Sequence, residues 1–139
     1  MLGFMSLRTL TSLTLALAAF GPRPAIACTA IEDPHAERRA FEKADLVITV
    51  DAVSEKLLPV PGEGSLRVGF ASGKILQMHK GRRELKGREI TYRVVEGSDG
   101  LSCPAVGSTR PGARYKLYLS FFADGGPPLI IRREVPPGQ

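Results

Sequence analysis

Two cysteines carry the most pointed chemistry in this chain. Cys28 stands directly behind Ala25-Ile26-Ala27, and Cys103 lies in a stretch rich in Gly, Ser and Pro. The two thiols can pair with each other, or Cys28 can be acylated if "AIAC" is a lipobox. Ala25 sits where a lipobox usually has Leu. Seven residues including two prolines separate Phe20 from Cys28, whereas a lipobox normally abuts the apolar region. Acylation would also leave Cys103 unpaired in an oxidising compartment. A Cys28–Cys103 disulfide is therefore the expected arrangement, with lipoprotein anchoring at Cys28 as the lesser alternative. Such a bridge closes a loop of about 75 residues, for which chain entropy gives an upper figure of roughly 4–5 kcal/mol.

The other reactive side chains form no constellation. His35 and His79 are the only histidines, no Asp, Glu, His or Cys pair has metal-ligand spacing, and there is no GxSxG, HExxH or P-loop motif. Both histidines read as surface or turn residues. Tyr92, Tyr115 and Tyr118, at strand spacing, read as packing rather than as a platform for stacking bases. The expectation is a protein that is not an enzyme, needs no cofactor and binds no nucleic acid.

Residues 1–27 read as a secretory signal peptide. Arg8 precedes the 12-residue apolar run "TLTSLTLALAAF", and "GPRPAIA" ends in small residues at Ala25 and Ala27. The run is shorter than the roughly 20 residues that span a bilayer. The expected location is secreted or periplasmic, with no membrane span and one domain over residues 28–139. Without Arg8 and Arg23 the chain has 17 basic against 14 acidic residues, a net charge of +3. Much of the excess is in "HKGRRELKGRE", where Lys80, Arg82, Arg83, Lys86 and Arg88 crowd together. That segment reads as a solvated hairpin loop, the sharper alternative being a patch for an anionic partner.

The elements that must position these residues are mostly strands. "DPHAERRAFEKA" offers Ala36, Ala40 and Phe41 to one side of a short helix or turn, and "ADLVITVDAV" (44–53) reads as the first strand. "LLPVPGEGS" reads as a connection. "LRVGFASGKILQMHKG" is a long second strand, expected to bend at Gly69 or Gly73. "EITYRVV" (89–95), "RYKLYLSFF" (114–122) and "LIIRREV" complete five strands. The expected class is all-β: a five-stranded Greek-key barrel of the OB type, preferred over a sandwich.

From Cys28 onward, "CTAIEDPHAERRAFEKADLVITVDAV" resembles the opening of netrin-like domains and the tissue inhibitors of metalloproteinases. "KILQMHKG", the "SC" at 102–103 and "GARYKLYL" follow in that family's order. The resemblance covers residues 28–133 and implies the same OB barrel. It also implies a function: the free amine and carbonyl oxygen of Cys28 chelate the zinc of a target metalloproteinase, Thr29 enters the specificity pocket, and Cys103 pins Cys28. The expected partner-binding edge is Cys28, Thr29 and Ala30, and the only metal contact is that of Cys28 with the protease's zinc. A catalytic zinc keeps one position open, and an α-amino group with a pKa of about 7.7–8.0 deprotonates readily near neutrality.

The sequence departs from the animal inhibitors at Ala30 and Glu42, which stand where those proteins have their next two cysteines. Glu32 and Asp33 place two unpaired carboxylates beside the wedge, facing the protease's own glutamate. The competing class is a non-inhibitory interaction or structural module in which Cys28 is only a staple.

Overall fold

The computed structural model describes residues 33–97 and 107–138. Along them run a helix α1 (Ala36–Lys43) and five strands, β1 (Leu46–Pro59), β2 (Arg67–Lys80), β3 (Glu89–Glu96), β4 (Arg114–Ser120) and β5 (Leu129–Glu134). The strands close into a barrel in the order β1-β2-β3-β5-β4. β4 lies beside β1 and not beside β3, which is the 4-1-2-3 arrangement of a Greek key. All neighbours are antiparallel except β3 and β5, whose parallel seam rests on the single pair Arg93 and Leu129. The protein is all-β with one short helix, as the periodicity implies.

Alternation along each strand fills the barrel. Leu46, Ile48, Val50 and Ala52 of β1 point inward, as do Ala71 and Ile75 of β2, Tyr92 and Val94 of β3, and Leu117 and Leu119 of β4. "LVITV" is nearly continuously apolar because its start is buried on both faces. Val47 points outward, under α1, with Ala44 and Tyr118 and against Ala40 and Ile131. Tyr92 and Tyr118 are completely buried and Tyr115 nearly so, so all three tyrosines serve packing.

The first strand is longer than its sequence suggests. It runs six residues past Val53, because Ser54–Pro59 pairs with Arg67–Ser72 of β2. The "LLP" read as a connection is therefore ladder, and the turn is confined to 60–66. There Gly62 and Gly64 take positive φ values of 78° and 60°, open to glycine without strain. Opposite Gly73 and Ser72 the register slips and leaves Val53 of β1 without a partner, while the irregularities on β2 itself fall at Leu76 and His79 instead of at either glycine. A Cβ at Gly73 would lie 3.1 Å from Val50 Cβ. Gly69 has a different use: a Cβ there would fall 1.8 Å from the Lys56 carbonyl oxygen, so only glycine permits this approach of β1 and β2.

β4 stops at Ser120, leaving Phe121 and Phe122 in the loop to β5 instead of in the strand. The basic hairpin contains a 3₁₀ turn (Arg83–Leu85), with Leu85 packed on the core while Arg82, Arg83, Lys86 and Arg88 are exposed. Lys80 departs from the solvated reading, since its Nζ donates to the Phe41 and Glu42 carbonyl oxygens at 2.7 and 3.3 Å. A cation on the last carbonyls of a helix stabilises it by about 0.3–1 kcal/mol. Replacing Arg82, Arg83 and Lys86 together by Ser should leave the unfolding free energy within about 0.5 kcal/mol, as expected of surface side chains without partners among the described residues. Lys80→Ala should cost more than the three together, and denaturant titration of the two variants checks the contrast.

Candidate functional site

Cys28, Thr29, Ala30 and Cys103 all lie outside the described residues, as does Glu32. The described chain resumes at Asp33 and at Gly107. At the first of these ends, Asp33 pairs with Arg39 and accepts a hydrogen bond from the His35 N–H at 2.9 Å. Asp33 is thus not the unpaired carboxylate that the sequence suggests, because the first turn of α1 brings Arg39 back over it. His35 is exposed at the start of that helix, and Ala40 seats the helix on Val47 and Tyr118. The Tyr118 hydroxyl donates to Glu37 and Glu134, tying helix, β4 and β5 together.

At the second end, Gly107 lies against Arg133, with the guanidinium 3.0 Å from where a Cβ would be. Arg133 donates to the Ser108 carbonyl oxygen, which anchors the incoming segment to β5. Asp33's partner and Gly107 share one cleft. Arg39 and Gly107 both line a cleft of about 680 Å³ between α1 and β5, together with Lys43, Arg132 and Arg133. Cys28 is five residues before Asp33 and Cys103 four before Gly107. At about 3.3–3.6 Å per extended residue, the two thiols have reach of about 17 and 14 Å from the borders of the same cleft. The cleft is lined by four cations and no carboxylate. Three of the four are already engaged, Arg39 by Asp33, Arg132 by Glu134 at 2.7 Å and Arg133 by the Ser108 carbonyl oxygen.

His79 is exposed on β2 and its Nε2 lies 2.9 Å from Thr49 Oγ1. Partial burial, followed by the charge of Lys116, holds its pKa below the usual imidazole range, so it is neutral at physiological pH. His79 is thus a surface residue of β2, as its sequence suggests, bonded to Thr49. Among the described residues no group of three His, Cys, Asp or Glu side chains could hold a metal ion. No helix among them is long and apolar enough to cross a membrane.

A second feature was not foreseen. On the outer wall of the barrel, cross-strand pairing lines up Lys56, Phe70, Arg93 and Leu129 from four strands, with Leu58, Val68 and Val95 in the next row. The β4–β5 loop closes one side. Phe122 lies 4.9 Å from the Arg93 guanidinium, and Asp124 accepts from Arg93 at 2.8 Å. The Arg93 bond, and after it the Gly126 N–H, hold the Asp124 carboxyl below its ordinary pKa. Gly126 permits this closure, since a Cβ there would fall 2.1 Å from Arg93 Nη2. The result is a groove of about 600 Å³ whose walls are almost wholly apolar. Phe70 is 53% exposed and Leu58 59%. The available signal was the doublet Phe70-Ala71: both are apolar, and alternation alone does not say which faces out. Compared with known proteins, the chain matches no family model and no curated protein.

Proposed function

We propose that this is a non-enzymatic, extracytoplasmic binding protein of the netrin-like kind. It inhibits a zinc metalloproteinase through the amine and carbonyl of Cys28, exposed by cleavage behind Ala27. The observation that supports it is the shared cleft: Arg39, which pairs with Asp33 five residues after Cys28, and Gly107, four residues after Cys103, line the same cleft. A Cys28–Cys103 bridge there would fix the new N-terminus on a helix that is itself tied to β2 by Lys80 and to β4 by Tyr118. The strand order and the lone parallel seam between β3 and β5 support the OB reading of the barrel.

Rigidity is what the mechanism needs. A free amine binds the open zinc position weakly unless the chain that carries it is ordered beforehand, because ordering on binding subtracts from affinity. Cys28 supplies the ligands, Thr29 fills the pocket, and Ala30 continues the edge. With Asp33 engaged by Arg39, one of the two carboxylates beside the wedge is already neutralised, which lowers the repulsion from the protease's glutamate.

The first test is the intact mass of the mature protein. It should correspond to a chain beginning at Cys28 with two hydrogens fewer than the dithiol, and reduction should restore them. An acylated or further-trimmed N-terminus would overturn the proposal, since neither leaves the Cys28 amine free.

A further inference from the structure

We infer that the groove on the outer wall of the barrel is a binding site for a free alkyl carboxylate of medium chain length. The reading is independent of anything that happens at Cys28. The groove is concave, and its volume of about 600 Å³ falls within the roughly 300–1,000 Å³ typical of small-ligand sites. Phe70, Leu58 and Phe122 stand in it half exposed, an arrangement that favours an apolar occupant.

The chemistry of the walls narrows the occupant. Across the floor, the facing edges of β1, β2 and β3 are taken up by their own ladders, so a chain lying over those strands finds no free strand edge there. A peptide laid there would bury backbone N–H and C=O groups without partners, each at a cost of about 1–3 kcal/mol. An alkyl chain brings no such groups. A second copy of the protein would need about 800 Å² per partner, more than a single narrow groove offers.

Charge sets the head group. Among the described residues, Lys56 and Arg93 are the only charged ones lining the groove, and both are cationic. Arg93 is committed to Asp124 and stacked on Phe122. Lys56 enters no ion pair among the described residues. A carboxylate set beside Lys56, with its chain running along Phe70 and Val68 toward Val95, satisfies the cation and covers the exposed apolar surface together.

The test titrates the purified protein with decanoate, below its micelle concentration, followed by calorimetry and by backbone amide shifts. One decanoate should bind, shifting Leu58, Phe70 and Val95, while decyltrimethylammonium binds at least tenfold more weakly. Lys56→Glu should reverse that preference, and Phe70→Ser should weaken both by tenfold or more. Both positions are exposed, and an unchanged melting temperature verifies that the variants fold. Equal binding of the two amphiphiles, or indifference of decanoate to Lys56→Glu, overturns the inference. So does Phe70-dependent doubling of the mass in solution, which would make the groove an interface between copies. Phe70-dependent sedimentation with phosphatidylglycerol vesicles overturns it too, in favour of a membrane surface.

Discussion

Replacing Tyr92 with alanine should lower the unfolding free energy by about 3–5 kcal/mol, the range for deleting a large aromatic from a core. Tyr92 is 0% exposed at the centre of the barrel, and its hydroxyl lies 2.6 Å from Thr109 Oγ1. Thr109 is itself fully buried, and its N–H donates to Glu55 Oε2 at 2.7 Å. Two bonds meeting at Thr109 thus link β3, the residues before β4, and the extension of β1. The loss is large beside a total stability of about 5–15 kcal/mol. Tyr92→Phe isolates the polar part. It keeps the ring and leaves the Thr109 hydroxyl without its partner, which costs about 1–3 kcal/mol for a buried group.

The same residue sets an alkaline limit. Burial, opposed by the Thr109 bond and helped by Glu55, pushes the Tyr92 pKa up to about 12. The folded protein therefore keeps this proton at pH values where the unfolded chain, with an ordinary tyrosine pKa of about 10, has lost it. Its contribution is complete below about pH 10 and falls away as pH rises toward 12. Urea titrations across that window should show the wild type losing stability more steeply than Tyr92→Phe. Parallel declines would mean that Tyr92 ionises as freely as an exposed tyrosine.

Where sequence and structure part, the cause is pairing between distant residues. "LLPVPGEGS" has the composition of a linker, yet Leu57 and Leu58 continue β1 because Gly69 and Val68 lie opposite and Gly69 admits the Lys56 carbonyl. Lys80 belongs by sequence to a run of solvated cations and is separated from them only by reaching α1, 38 residues earlier at Glu42. The outer groove follows from a similar long-range choice. Ala71 pairs with Tyr92, and the tyrosine fills the barrel so fully that only a small residue fits opposite; Phe70 is thereby turned outward. Alternation gives the strands and their number, but only cross-strand partners say which face of a doublet is inside.

The strongest functional prediction concerns the first residue after Ala27. If the protein inhibits a zinc protease as proposed, adding one alanine in front of Cys28 should abolish that inhibition while leaving the melting temperature unchanged. The extension converts the Cys28 amine into an amide, which has no lone pair to give the zinc. It also pushes an extra residue into the position that the catalytic water vacates. A Cys28–Cys103 bridge and the barrel beneath it are untouched by the addition. α1 is held by Lys80 and Tyr118, both of which act on residues beyond Asp33. Loss of a metal ligand weakens binding by several kcal/mol, at least a hundredfold at 1.4 kcal/mol per decade. Thr29→Gly should weaken inhibition less, because it empties a pocket and spares the zinc. An extended protein that inhibits as well as the native one would show that Cys28 serves only as a staple. Binding by this barrel would then have to be sought on its outer wall.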